Sequence, residues 1–81
     1  MPGKRPRPKV RLNPYAVWRR LDRTNLSQNE LARQMGISSG YLSQLITGQR
    51  HPSPRMRRRL QRALDIDRFD DLFIVERGDA I

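Results

Sequence analysis

The sequence contains no cysteine, which excludes disulfide bonds and zinc sites built on thiolates. Acidic residues are scarce, since eight Asp and Glu stand against seventeen Lys and Arg and leave a net charge of +9. No apolar run approaches the roughly 20 residues that a membrane helix requires. The basic N-terminus also lacks the hydrophobic segment of a secretion signal. We therefore expect a cytoplasmic protein without a membrane partner.

Catalytic side chains are equally sparse. One histidine, no cysteine and acids that mostly occupy capping positions provide no nucleophile with a positioned base. His51 has no second ligand at a useful spacing, which argues against a metal site. We predict that the protein is not an enzyme and that it uses no metal or cofactor.

Arginine is abundant, and its distribution is uneven. Fifteen of the seventeen basic residues are arginines, and residues 1–62 hold fifteen bases but only two acids. Residues 63–81 hold two bases and six acids. Guanidinium groups bind phosphate in a fork and release counterions, so the first part of this single small domain should meet a polyanion. A small basic protein of ribosomal type is the alternative reading of composition alone.

Residues 26–48 have the pattern of two short helices joined by a glycine. Ser27 and Glu30 form a capping box that predicts the start of the first helix. Gly36 ends it, because a left-handed residue is needed there. Ser38 caps the second helix, and Gly48 ends it. Two helices joined by so tight a turn must cross steeply, which is the helix-turn-helix arrangement.

Seven positions in this stretch match one known pattern. They are Leu31, Ala32, Met35, Gly36, Ile37, Leu42 and Leu45. The spacing resembles the Cro/CI family of DNA-binding domains, also called the XRE family, and the likeness covers roughly residues 13–66. It implies an all-α, lambda-repressor-like fold, a compact bundle of four to five short helices with the helix-turn-helix formed by helices 2 and 3.

The flanking segments complete a predicted domain over residues 12–75, followed by a tail over 76–81. Asn13 and Pro14 open the first helix, and Val17, Trp18 and Leu21 repeat at helical spacing as its buried face. Residues 1–11 contain three prolines and no acid, which predicts a disordered arm. This arm either follows the DNA backbone or enters the minor groove, or it serves only as a solubilising tail. Its basic residues are Lys4, Arg5, Arg7, Lys9 and Arg11.

The C-terminal part predicts a fourth helix capped by Ser53 and a short fifth one. Five arginines occupy the outward face of the fourth helix, where they are either solvated or relieved by a phosphate strand. Asp67 is the expected cap of the fifth helix. Its inward residues would be Phe69, Leu72 and Phe73, although the last apolar residues could instead pair as a strand.

The family resemblance implies which residues meet DNA. The second helix of the motif lies in the major groove with its N-terminal residues toward the bases. The base-reading candidates are Ser39, Gly40, Tyr41 and Gln44, of which Gln44 can pair bidentately with adenine. Candidates for phosphate contacts are Ser27, Gln28, Thr47, Gln49, Arg50 and His51. Ile46 stands where the family usually has a polar residue, and it could read a methyl group, pack on a partner or complete the core.

The function predicted from these features is sequence-specific binding of double-stranded DNA by a transcriptional regulator, most simply a repressor. One small domain makes few contacts, so a homodimer on a palindromic site is expected. Residues 72–75 and Ile81 form either its interface or internal packing. The alternatives are an antitoxin-type module whose acidic end binds a protein partner, and a recombination accessory protein that bends DNA.

Overall fold

The computed structural model describes residues 9–76, and residues 1–8 and 77–81 lie outside the described part. The elements in chain order are β1 (Lys9–Leu12), α1 (Pro14–Thr24), α2 (Gln28–Met35), α3 (Ser39–Thr47), α4 (Pro54–Leu64), a 3-10 turn (Phe69–Asp71) and β2 (Phe73–Glu76). The predicted bundle of four to five short helices is confirmed, and α2 and α3 form the helix-turn-helix. A two-stranded antiparallel sheet is added to it.

Each helix begins directly after the residue whose side chain the sequence predicts as its cap. The Asn13 carboxamide oxygen accepts a hydrogen bond from the Tyr15 amide at 3.0 Å. The hydroxyl oxygens of Ser27, Ser38 and Ser53 accept from the amide three residues further on, at 3.0–3.2 Å. These bonds satisfy amides that have no partner inside the helix. Helix boundaries are therefore encoded locally.

The helix ends use left-handed residues. Gly36 and Gly48 end α2 and α3 with φ of 70° and 84°. Asn25 and Asp65 end α1 and α4 with φ of 57° and 55°, and they are the only other positive φ angles among residues 9–76. Asn and Asp tolerate this conformation better than most residues do. The chain can therefore turn sharply after every helix.

The core lies where the four helices meet the sheet. Its most completely buried side chains are Leu12, Val17, Leu31, Leu42, Leu45, Leu60 and Leu72. Burial of one such side chain stabilises the fold by about 1.5–3 kcal/mol. Ile46 is 3% exposed and belongs to this core. Of its three possible roles, completing the core is the one that the structure supports.

Two aromatic residues that the sequence predicts for the core, Trp18 and Phe69, are instead partly exposed. Trp18 is 45% exposed, so its assignment to the core is wrong. The buried face of α1 is formed by Ala16, Val17 and Leu21 instead, and Trp18 lies beside it in edge-to-face contact with Tyr15. Phe69 is 37% exposed, although its ring lies 5.1 Å from that of the buried Phe73.

The expected fifth helix is only the 3-10 turn. Its cap position is Arg68, without a side-chain hydrogen bond, so the prediction of a cap at Asp67 is wrong. The chain then extends into β2, which was the alternative left open for these apolar residues. Phe73 and Leu72 are buried within the same chain. Their packing is thus internal, and they do not offer a free surface to a second subunit.

The N-terminal strand corrects the predicted limit of the arm. Residues 9–11 lie in β1, where Lys9 pairs with Glu76 and Leu12 pairs with Phe73. All three prolines of residues 1–11 precede Lys9, so nothing prevents pairing from that point onward. The alternating apolar residues Val10 and Leu12 face the core. The part of the proposed arm over residues 1–8 lies outside the described residues.

Candidate nucleic-acid interface

The capping box of α2 fixes the entry to the helix-turn-helix. The amide of Ser27 donates to the Glu30 carboxylate at 2.8 Å, and the Glu30 amide donates to the Ser27 hydroxyl at 3.1 Å. The backbone bond from Ser27 lowers the pKa of Glu30, with smaller contributions from the Ser27 side chain and the charge of Arg33. The Ser27 hydroxyl is therefore engaged with Glu30. Gln28, the first helical residue, is half-buried.

The turn between α2 and α3 is closed by backbone hydrogen bonds. The amide of Gly36 donates to carbonyls in the last turn of α2, and the amide of Ile37 donates to the Ala32 carbonyl at 3.0 Å. Ala32 is 2% exposed, and its small side chain lets α3 approach. These contacts hold α3 against α2. A third helix also contributes, because the Arg59 guanidinium of α4 donates to the Met35 carbonyl at the end of α2.

One face of α3 is buried and the other is accessible. Leu42, Leu45 and Ile46 point into the core. Ser39 and Gly40 are exposed, while Tyr41 and Gln44 are half-buried. A Cβ added to Gly40 would meet no atom within 4 Å. Because residues four apart share a helix face, Gly40 and Gln44 form an outward surface at the start and middle of α3.

The candidates for phosphate contacts after Gln44 differ in whether their side chains already have a partner within the domain. Thr47 is exposed, but its hydroxyl donates to the Ser43 carbonyl at 3.0 Å. Gln49 and Arg50 are exposed in the loop after α3. His51 is directed to β2, where its Nε2 lies 3.6 Å from the Glu76 carboxylate. The histidine is thus close to an acid, which competes with any phosphate for it.

The basic residues predicted for the N-terminal arm also differ in their surroundings. Lys4, Arg5 and Arg7 lie outside the described residues, and Lys9 is exposed at the start of β1. Arg11 is held within the fold, since its Nε lies 3.1 Å from a Glu76 oxygen as an ion pair. The alignment of the two groups is not that of a hydrogen bond. The Arg11 side chain also packs against Gly48, where an added Cβ would lie 3.2 Å from the Arg11 Cδ.

Sequence reasoning missed the contacts that Arg50 makes on the accessible face of α3. Nε of Arg50 donates to Oε1 of Gln44 at 2.7 Å, and the guanidinium carbon lies 5.9 Å from the centre of the Tyr41 ring. The amide of Arg50 also donates to the Gln44 carbonyl at 3.1 Å. The spacing of six residues carries no helical periodicity that could have indicated this pairing, because the chain turns at Gly48.

Two further findings concern residues 9–76 as a whole. Within them, no group of three or more His, Asp and Glu side chains could hold a metal ion. None of their helices combines the length and apolar character needed to cross a bilayer.

Comparison with known proteins agrees with this geometry. A family model described as Helix-turn-helix matches residues 18–70, which is roughly two thirds of the chain and includes α2, α3 and α4. No curated protein and no solved structure matches the sequence. The match and the α2–turn–α3 geometry together show that the chain belongs to the Cro/CI-type helix-turn-helix family, also called the XRE family, of DNA-binding domains of transcription regulators.

Proposed function

We propose that this domain binds double-stranded DNA at preferred sequences and represses transcription by occupying a promoter. The protein would then act in the cytoplasm, in association with the nucleoid. The observation that carries the proposal is the accessible face of α3, with Gln44 directed away from the buried Leu42 and Leu45. A helix of this width fits the major groove, where base edges differ in their donors and acceptors. Repression requires only that the site be occupied.

The residues divide into two roles in this proposal. Gln44 reads adenine through its carboxamide, Ser39 bonds to a base edge, Gly40 admits the backbone, and Tyr41 contacts a thymine methyl or a phosphate. Phosphate contacts fix the position of the domain. Their donors are Ser27, Gln28, Thr47, Gln49, Arg50 and His51, together with the basic residues before β1.

Selection of bound duplexes from a random DNA pool tests sequence preference. The affinity for the recovered site is then compared with that for random DNA at physiological salt. We expect a ratio above about a thousand, as specific regulators reach. A ratio below roughly ten would favour the DNA-bending accessory role instead.

The variant Gln44→Ala tests the base-reading assignment. Loss of the bidentate pair should cost about 1–3 kcal/mol of binding free energy on the selected site and less on random DNA. Titration of both duplexes with wild-type and variant protein measures the difference. Equal losses on the two duplexes would remove Gln44 from base reading.

We also propose that two copies of the domain bind a palindromic site. Val75 in β2 is 47% exposed, and within residues 9–76 β2 pairs with no strand except β1. An open strand edge that carries an exposed apolar residue is a surface suited to pairing with a second copy. Ile81 was proposed for the same interface and lies outside the described residues.

A further inference from the structure

Arg50 holds a position that its charge alone does not explain. Three contacts join it to the accessible face of α3: its Nε with Oε1 of Gln44, its amide with the Gln44 carbonyl, and its guanidinium with the Tyr41 ring. The distance of 2.7 Å from Nε to Oε1 is that of a strong, charge-assisted hydrogen bond. The loop residue is therefore attached to two of the proposed base-reading side chains.

The consequence concerns which way the Gln44 carboxamide faces. An amide presents an acceptor oxygen on one side and a donor nitrogen on the other. Reading adenine requires Oε1 at the N6 amino group and Nε2 at N7. Nε of Arg50 can only donate, so it selects Oε1 as its partner and leaves Nε2 on the other side. Oε1 keeps a second lone pair with which to accept from a base.

An amide that turns freely behaves differently. Its nitrogen can also turn to donate to N7 or O6 of guanine, which are both acceptors. Holding the carboxamide in one orientation before DNA arrives also removes part of the ordering cost of binding. Preference for one base over another would therefore depend on a residue that itself reads no base.

We infer that Arg50 is a positioning residue that fixes the orientation of the Gln44 carboxamide and so sets the base preference at one position of the DNA site. This inference rests on the proposed base-reading role of Gln44. It differs from the expectation that Arg50 contributes a phosphate contact, because such a contact strengthens binding to all sequences equally.

The variant Arg50→Lys separates the two roles. Lysine keeps the positive charge but replaces the planar guanidinium with a rotating ammonium group, which holds the amide less rigidly and stacks less well on Tyr41. We expect the ratio of affinities for the selected duplex and for random duplex to fall about five- to a hundredfold. The dependence of affinity on salt should stay unchanged, since the charge is retained.

Three comparisons complete the test. Arg23→Lys, at an exposed position in the last turn of α1, serves as the matched control and should leave the ratio unchanged. In a Gln44→Ala background, Arg50→Lys should change the ratio by less than about twofold, because the side chain to be positioned is gone. Thermal unfolding of each variant verifies that the domain is folded at the temperature of the titrations.

The results that overturn the inference are distinct from those that overturn the proposed function. If Arg50→Lys leaves the ratio intact while Gln44→Ala lowers it, base reading stands and the positioning role is wrong. If Arg50→Lys lowers the ratio equally with and without Gln44, the effect does not pass through Gln44, and the inference is also wrong. If Gln44→Ala itself leaves the ratio intact, base reading by Gln44 and the inference fail together.

Discussion

The arginine side chains of this domain carry the same charge but make different kinds of contact. Arg59 and Arg57 donate to the backbone carbonyls of Met35 and Pro52, and Arg11 is paired with Glu76. A guanidinium has five donors in a rigid fork, so it suits such structural roles as well as it suits phosphate. Some of the seventeen basic residues therefore stabilise the fold and are not available to bind phosphate.

Gly40 offers a test in which stability and binding change in opposite directions. Its φ is not left-handed, and an added Cβ would meet no atom within 4 Å. Gly40→Ala should therefore stabilise α3, raising the free energy of unfolding by about 0.5–1 kcal/mol. If the backbone at Gly40 approaches the DNA, the same methyl group should weaken binding.

Denaturant unfolding and DNA titration of the Gly40→Ala variant measure the two effects. Gln34→Ala is a suitable comparison, because it shortens a side chain at an exposed helical position outside α3. Unchanged affinity in Gly40→Ala would show that no close approach occurs at this residue.

What the sequence predicts at residue level depends on how local the cause is. The caps at Asn13, Ser27, Ser38 and Ser53 were predictable, because each involves a side chain and an amide two or three residues away. The exposure of Trp18 was not, since it depends on which side of α1 meets the other helices. The Arg50–Gln44 hydrogen bond also escaped prediction, because a loop residue had to fold back over α3.

At the level of the elements, the stability of α2 should depend on pH. Hydrogen bonds from Ser27 lower the pKa of Glu30 below its ordinary value of 4.5. A carboxylate with a lowered pKa stabilises the fold above that ordinary value, and its contribution is lost as the pH falls through the lower folded-state value. Wild type should therefore be more stable than Glu30→Gln at neutral pH, and the difference should disappear in acid.

Unfolding curves of both proteins between pH 7 and pH 2 measure this difference. Ser27→Ala provides the control, because it removes the hydroxyl but retains the backbone amide that is the largest cause of the lowered pKa. The pH dependence should survive in Ser27→Ala. Parallel curves for wild type and Glu30→Gln would contradict the prediction.

The two strands were the elements that sequence reasoning placed least well. β1 and β2 pair residues from opposite ends of the chain, and each is only four residues long. No local periodicity distinguishes such strands from a basic arm or a tail, since pairing at this distance depends on where the helices bring the ends. The helical bundle was predictable, and its sheet emerged only as an alternative for the C-terminal residues.

At the level of the whole molecule, β1 changes how the proposed arm must be tested. Deleting residues 1–11 would remove half of the sheet, so the informative deletion ends at residue 8. It removes Lys4, Arg5 and Arg7, and if all three contact phosphate the slope of log affinity against log salt should decrease by up to about 2.7.

Titrations of wild type and the deletion at several salt concentrations provide the two slopes. A full-length variant with the three bases changed to glutamine is the matched control and should give the same slope as the deletion. An unchanged slope would show that the basic residues among residues 1–8 make no contact with the DNA phosphates.

The proposed dimer is also tested at the level of the whole molecule. Val75→Lys should abolish an interface built on β2, because it places a charge on the exposed strand edge. We expect the variant to lose the gain in affinity that two half-sites about 34 Å apart give over one, while binding to a single half-site is retained. Tyr15→Lys, at another exposed position, controls for the added charge. If the Val75→Lys variant keeps the whole gain in affinity that two half-sites give over one, the proposed interface on β2 is wrong.

The pairing of Lys9 with Glu76 has a mechanical consequence. Residues 9 and 76, the two ends of the described part of the chain, therefore lie side by side. α3 is the helix that packs most against β1, and Arg11 joins that strand to Gly48 at the end of α3. A molecule that binds at residue 9 or residue 76 would therefore act on α3 through β1, without contacting DNA.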